Sequence, residues 1–365
     1  MPPLEVPNYR VVVNSNGDGP ATPDNQFTLR EAIELTNGSL LYEQLSPQEK
    51  GQVTLLGPET FSRIGFNLSE GNRVITLNDI LPPLITEGLT IDGTTNPGYD
   101  KTVSATAEIE IPVPVVSLTA NPEQYIFRGL TVAADKVTIR GLSIYGFTAP
   151  QGITSVTPPA DIFIARVLPE FPFTQGGIPK NEFPEYDALR DSYFDQDVSA
   201  PTEVMIEHNW LGLTPEETMP PRTSAFGVSV FNGVDTIIQH NRISYHEGSG
   251  IITSRRANGM KVINNIITAN GINGMPDAIR LDGNVDKAQI TSNLICGNDG
   301  SGVYLFKTEG SITLNENDIK YNGRRLRRAA VYLMGDDHLV VDNKITNQTG
   351  PGVVVTAIQE RSQPH

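Results

Sequence analysis

Arg280 and Asp282 stand two residues apart in AIRLD (278–282), and Tyr304, Phe306 and Lys307 follow in GVYLFK (302–307). On a strand, residues i and i+2 leave the backbone on the same face. A guanidinium beside a carboxylate, next to two aromatic rings and an ammonium, can hold an acidic sugar. Aromatic side chains pack on sugar rings, and Arg or Lys pairs with uronic carboxylates. Tyr332 in AVYLM (330–334) and Arg255 in SRR (254–256) extend the set, and Asp336 and Asp337 add two adjacent carboxylates. The expected site has Arg280 and Asp282 as its catalytic pair. Arg255, Tyr304, Phe306, Lys307 and Tyr332 are its substrate contacts, and Asp336 and Asp337 its metal ligands. The bland alternative is an exposed sheet face on which Arg280 and Asp282 only pair along their strand.

An internal repeat would align these residues. Five segments match without gaps: IIQHNRI (237–243), KVINNII (261–267), QITSNLI (289–295), TLNENDI (313–319) and LVVDNKI (339–345). Each has Asn fifth and Ile seventh, and successive Asn residues are 24, 28, 24 and 26 apart. Asn209 in VMIEHNWL (204–211) fills the same role upstream. A second short strand recurs in GVSV (227–230), GIIT (250–253), AIRL (278–281), GVYL (302–305), AVYL (330–333) and GVVV (352–355). Its second and fourth positions are mostly aliphatic and its third varies, the period-2 signature of one face in and one out. Each repeat is thus expected to carry two short strands with Gly, Asn and Asp turns between them.

A period of about 25 residues fits a leucine-rich repeat or a parallel β-helix. The repeated positions are Ile and Val rather than Leu, and the return segment is a strand, which favours the β-helix. Coils stacked about 4.8 Å apart put like residues in columns. The aliphatic columns fill the interior, and the Asn column pairs amide to amide at a turn. On that reading the third-position column runs Ser229, Ile252, Arg280, Tyr304, Tyr332, Val354, and the fifth-position column Phe231, Ser254, Asp282, Phe306, Met334, Thr356.

The totals agree. The chain has 365 residues, of which 33 are Gly and 27 Pro, and a formal net charge of −15. Such an acidic chain is not built to bind nucleic acid or an anionic membrane, because phosphate contacts need clustered Lys and Arg. The single Cys296 excludes an internal disulfide. No run of apolar residues is long enough to span a membrane, and MPPLEVPNYR is not a signal peptide. GPGVVVTAIQERSQPH still reads as coil, so the native chain is expected to continue.

The first half is less regular. DNQFTLREAIELTNG, LTIDGTTNPGY and VTIRGLSIYGF, in that order over residues 11–147, resemble the bacterial right-handed β-helix proteins related to pectate lyases. Many of these carry an N-terminal motif written C-S-L-R-E-A-I, where this chain has Phe27 and Thr28 in place of Cys-Ser. The resemblance implies an all-β right-handed parallel β-helix in an extracellular or cell-surface protein, and the aromatic and charged strip implies a polysaccharide partner. It also implies three chemistries. A pectate-lyase-like reaction would use Arg280 or Arg255 as base, with calcium as its cofactor. A polygalacturonase-like hydrolase finds GDDH (335–338) but none of its other motifs. A mannuronan-epimerase-like enzyme finds only His246 and Glu247 in SYHEG, and His246 reads instead as a turn histidine.

Single features complete the expectation. FTLREAI lies within a capping helix over 27–38, with Thr28 as N-cap and Glu31 three residues on. Leu29, Ala32, Ile33 and Thr36 form its apolar face, and Arg30 and Glu34 can pair. Residues 149–203 read as an inserted surface flap, with Glu185, Asp187, Asp191, Asp195 and Asp197 as oxygen ligands if it holds calcium, and 212–225 as a shorter excursion. Regular coils run over 204–355 of one domain spanning 1–365. GRRLRRA (323–329) reads as a solvated turn. The leading function is polysaccharide binding on the outward sheet face. The alternatives are a lyase or epimerase on acidic polysaccharide, and a structural or adhesive stalk.

Overall fold

A computed structural model of the chain describes residues 6–102, 104, 109–150, 158–167 and 199–356. The chain winds as a right-handed parallel β-helix, the hand that strand–crossover–strand connections adopt. Each regular coil contributes one strand to each of three sheets, while the first coils lack a third-sheet strand among the described residues. A representative coil runs Ile237–Gln239 in the first sheet, Arg242–Ser244 in the second and Ile251–Asn258 in the third. Among the described residues these sheets hold eleven, nine and eight strands. All pair in parallel except Val53–Leu55, which runs antiparallel to the first strand, Tyr9–Val13.

Three strands per coil correct the expected two. IIQHNRI is two strands, because its centre turns a corner. The residue before each ladder Asn has a left-handed backbone: His208, His240, Asn264, Ser292, Glu316 and Asp342 have φ between 51° and 56°. Such a backbone costs a residue bearing Cβ about 1–2 kcal/mol. The amide of the next residue offsets it. Asn265 donates its backbone N–H and its side-chain amide to Asn293 Oδ1 at 2.9 and 3.0 Å, and the same amide reaches Ile238 O at 2.8 Å. This pattern repeats from Asn209 through Asn241, Asn265, Asn293 and Asn317 to Asn343.

A second ladder stands five residues further on, at the corner between the second and third sheets. Asn270 bonds to Asn298 and Asn298 to Asn322 in the same way, each of the three after a left-handed residue: Ala269, Gly297 and Tyr321. His246 begins this ladder. Its Nδ1 lies 2.8 Å from Asn270 Oδ1 and its Nε2 2.8 Å from Asp161 Oδ2, with Ser224 Oγ donating to the other Asp161 oxygen. All four residues are buried, so this is interior scaffolding. Burial pushes the Asp161 carboxyl up, against the pull of His246.

Between the ladders the interior is filled by aliphatic columns such as Val228, Ile251, Ile279, Val303 and Val331, all fully buried. The helix Leu29–Asn37 joins this core through Leu29, Ala32, Ile33 and Leu35. Thr28 and Glu31 form a reciprocal capping box at its start. Arg30 does not engage Glu34 in an ion pair as expected. It is buried and pairs with Asp18 at 2.8 Å, and donates to Asp79 O and Ile80 O, each at 2.9 Å. Asp18 also accepts from Asn78 N–H at 2.7 Å, so one guanidinium ties the helix to two loops.

The region expected as one insertion, 149–203, contains a coil strand. Ala160–Ile164 pairs in parallel with Arg128–Val132 and with Phe226–Val234 in the third sheet. The five acidic residues between 185 and 197 considered for calcium lie outside the described residues.

Candidate functional site

The third sheet builds the outward strip. Its register runs Ile252–Arg280–Tyr304–Tyr332–Val354 in one column and pairs Asp282 with Phe306 and Met334 with Thr356 in the other. Aliphatic residues on either side of Arg280, Tyr304 and Tyr332 are pinned inside, so these outward side chains cannot turn in without inverting the whole strand. Upstream, Phe163, Ser229 and Ile252 are buried although they face outward. Arg280 is also largely buried, its side chain 11% exposed, and the strip opens beyond it, where Tyr304, Phe306 and Tyr332 are half-buried.

Arg280 Nε lies 3.1 Å from Asp282 Oδ1. The same guanidinium lies 4.7 Å from the Phe306 ring centre and 5.4 Å from that of Tyr304. Tyr304 and Tyr332 stack at 4.8 Å, the spacing of successive coils. The second guanidinium on Tyr304 is that of Arg328, 5.0 Å from the ring. Arg328 is held by Asp277 Oδ2 at 2.9 Å, and Asp277 Oδ1 accepts from Ser301 N–H at 2.8 Å. Burial pushes the Asp282 carboxyl up to about 6 despite Arg280, with Asp277 adding to the rise. Burial raises Asp277 as well, against Arg328.

Lys307 owes its position to a bulge. Asp282 pairs with Phe306 but Gly283 pairs with Thr308, so Lys307 is the extra residue, with φ 51°. A bulge re-aims the side chain it carries, and the exposed Lys307 ammonium lies 5.3 Å from the Phe306 ring centre. Opposite it Gly283 has φ 78°, and a Cβ there would sit 2.1 Å from Ser254 O, so no side chain is tolerated.

Six of the expected residues therefore meet: Arg280, Asp282, Tyr304, Phe306, Lys307 and Tyr332. Arg255 is half-buried one coil earlier, beside a bulge of its own strand and out of the Arg280 column. Asp336 and Asp337 are exposed in the turn after Val331–Met334. Among the described residues no three His, Cys, Asp or Glu side chains converge on a metal position. Two exposed carboxylates fall short of the six to eight oxygens calcium takes, so these residues do not fit a calcium cage.

The rings also do something other than expected. Tyr304 gives its ring to Tyr332 and two guanidiniums, which leaves little face for a sugar. What the strip presents outward is ring edge, phenol and cation.

Arg328 and Asp277 were missing from the expected site because they come from loops. From each second-ladder residue to the next third-sheet strand, the connections hold four residues (247–250), eight (271–278), four (299–302), eight (323–330) and four (349–352). GRRLRRA is the second long loop. Arg325 anchors it through Asp299 at 3.2 Å, Gly271 O at 2.9 Å and Gly274 O at 3.1 Å, reaching across the short loop to the first long one. Arg328 is thereby set over the strip, while Arg324 and Arg327 stay exposed. One signal was legible: Asp277 occupies a column otherwise filled by Ser249, Ser301, Ala329 and Pro351.

Residues 222–349 match a family model described as a right handed beta helix region. No curated protein matches the chain. Similar solved structures include the enzymatically active domain of tailspike protein 2 of bacteriophage CBA120, at TM-score 0.45 and 10% identity over 81% of this chain and 42% of that one. The A-module of the Azotobacter vinelandii mannuronan C-5 epimerase AlgE6 gives TM-score 0.39 and 10% identity over 81% of each chain. Pectate lyase Pel9A gives TM-score 0.40 and 12% identity over 97% of this chain and 80% of that one. This chain thus spans less than half the length of the tailspike domain, and likeness at these scores carries no argument about activity.

Proposed function

We propose that the third-sheet strip binds an acidic polysaccharide, outside the cell or at its surface. The observation that carries this reading is the placement of two guanidiniums, Arg280 and Arg328, on one outward tyrosine, Tyr304. They belong to coils that carry more basic than acidic residues. Residues 251–334 hold eleven Lys and Arg against seven Asp and Glu, in a chain whose net charge is −15. These coils are less acidic than the rest of the chain, so they repel an anionic polymer less than the other coils do. Guanidinium pairs with carboxylate or sulfate through charge-assisted hydrogen bonds, and the Tyr304 and Tyr332 phenols add neutral donors beside them.

The test is binding to alginate, pectate and glycosaminoglycans by calorimetry at low and moderate salt. Arg328→Gln is expected to lower affinity roughly tenfold, the loss of one charge-assisted contact. Equal affinity in the variant, or no binding to any acidic polymer, overturns the reading.

A lyase or epimerase acting on the same polymer is the second reading, favoured by the raised Asp282 carboxyl. A base works best when its pKa lies near the working pH. In this reading Asp282 is the base, and Arg280, paired with it at 3.1 Å, orients it. New ultraviolet absorbance from an unsaturated uronide supports a lyase. Its absence, with binding intact, leaves an epimerase or a binding module.

A further inference from the structure

We propose that Asp282 is a built-in competitor for Arg280: it occupies the guanidinium in the free protein, yields it to an anionic group of a bound acidic polysaccharide, and takes up a proton as it does so. This inference rests on the binding reading above and adds a regulation to it.

The geometry supports an exchange confined to side chains. Arg280 and Asp282 share one strand and one face, with side chains 11% and 15% exposed. The backbone beneath them is fixed, since Asp282 N–H donates to Thr253 Oγ1 at 2.9 Å and Thr253 Oγ1 donates to Asp282 O at 2.7 Å. The exchange is then a matter of the two side chains alone. The other arginine of the strip differs. Its partner Asp277 is fully buried and also holds Ser301 N–H, so Asp277 is anchored and cannot act as a competitor.

The charges around Asp282 decide its protonation when Arg280 leaves. Its own strand supplies Arg280, with Asp277 just upstream. The strand Val303–Glu309 supplies Lys307 and Glu309, and the strand Ile251–Asn258 supplies Arg255 and Arg256. Arg280 is the strongest of these in holding Asp282 ionised. Once Arg280 turns to a ligand, burial, Asp277 and the ligand's own negative charge all favour the protonated form. The carboxyl, at about 6 with Arg280 in place, is expected to rise further. Linkage is reciprocal: the factor by which ligand raises proton affinity is the factor by which the proton raises ligand affinity. A rise of one pKa unit is worth tenfold. Binding should therefore strengthen as pH falls through about 6.

Dextran sulfate is the probe, because its sulfate esters keep their charge across this range, and uncharged dextran is the blank. The wild-type protein is expected to bind dextran sulfate roughly tenfold more tightly at pH 5 than at pH 8. Asp282→Asn is expected to bind at pH 8 as tightly as wild type does at pH 5, with little change between the two. Arg280→Gln, which removes what is competed for, should lose the pH response while keeping residual binding through Arg328. It serves as the deciding variant if Asp282→Asn does not fold. A pH-independent wild type, or a tenfold response that survives either substitution, overturns the competitor while leaving the binding reading in place. Absence of binding at both pH values overturns both.

Discussion

Gln348 stands one coil beyond Asn322 on the second ladder and does not continue it. Its amide nitrogen reaches Ile319 O and Thr346 O at 3.4 and 3.3 Å, and its Oε1 is buried with no hydrogen-bond partner among the described residues. Elsewhere on the ladder that oxygen accepts two bonds from the coil before, as Asn322 Oδ1 does from Asn298 at 3.0 and 2.8 Å. The extra methylene of Gln carries the acceptor out of register. Gln348→Asn is expected to close the gap and stabilise the protein by about 1 kcal/mol, a rise of roughly 2 °C in Tm. An unchanged or lower melting temperature in calorimetry would count against the register argument.

The first ladder makes a complementary case. Asn293 is buried in mid-stack and bonds to coils on both sides, whereas Asn343 is half-buried and receives bonds from Asn317 without passing a side-chain amide bond onward. Asn293→Leu strands several buried donors and acceptors, so a loss of about 3–4 kcal/mol is expected. Asn343→Leu should cost less than half of that. Urea midpoints of the two variants give the comparison, and equal losses would show that position in the stack is immaterial.

At the N-terminal end Arg30 and Glu34 should part company. Removing a buried guanidinium leaves Asp18 uncompensated and frees two carbonyls, so Arg30→Ala is expected to cost about 3 kcal/mol. Glu34→Ala should stay within roughly 0.5 kcal/mol of wild type. Had the pair joined Arg30 to Glu34 as i,i+4 spacing suggests, both losses would be small and alike. Chemical denaturation decides between these outcomes.

Asp282 also has a stability signature. Its folded carboxyl, raised to about 6, binds a proton more tightly than the unfolded chain does. The stability this confers is present below the ordinary carboxylate range and is lost as pH rises through about 6. Wild type should therefore lose about 2–3 kcal/mol relative to Asp282→Asn between pH 4 and pH 7. Parallel pH profiles for the two proteins would remove Asp282 from consideration as a buried titrating group.

The sequence disclosed the columns better than the corners. Ile, Val and Asn recur in register because stacking forces like onto like, so GVYL and AVYL could be aligned to the residue. The third strand stayed hidden because a corner made by one left-handed residue leaves no Gly or Pro to mark it. His240 and Glu316 look like ordinary strand residues. The second ladder was obscured by its composition, a histidine, three asparagines and a glutamine. Ala160–Ile164 was missed because it sits among proline-rich and acidic sequence and carries a buried aspartate whose partner, His246, is 85 residues away. Of the site, the part built by strands was legible. The part delivered by loops, Arg328 above all, depends on contacts such as Arg325 with Gly271 that no spacing rule encodes.

Those loops carry one more consequence. The change from four residues to eight happens between the second ladder and the third sheet, and the first ladder and the pairing of the strand after each long loop persist through it. Insertions and deletions can therefore accumulate beside the strip without displacing a single core side chain. Such a framework separates inheritance of shape from inheritance of specificity. Descendants of this chain could exchange one loop for another and meet a different polymer, with the scaffold none the wiser.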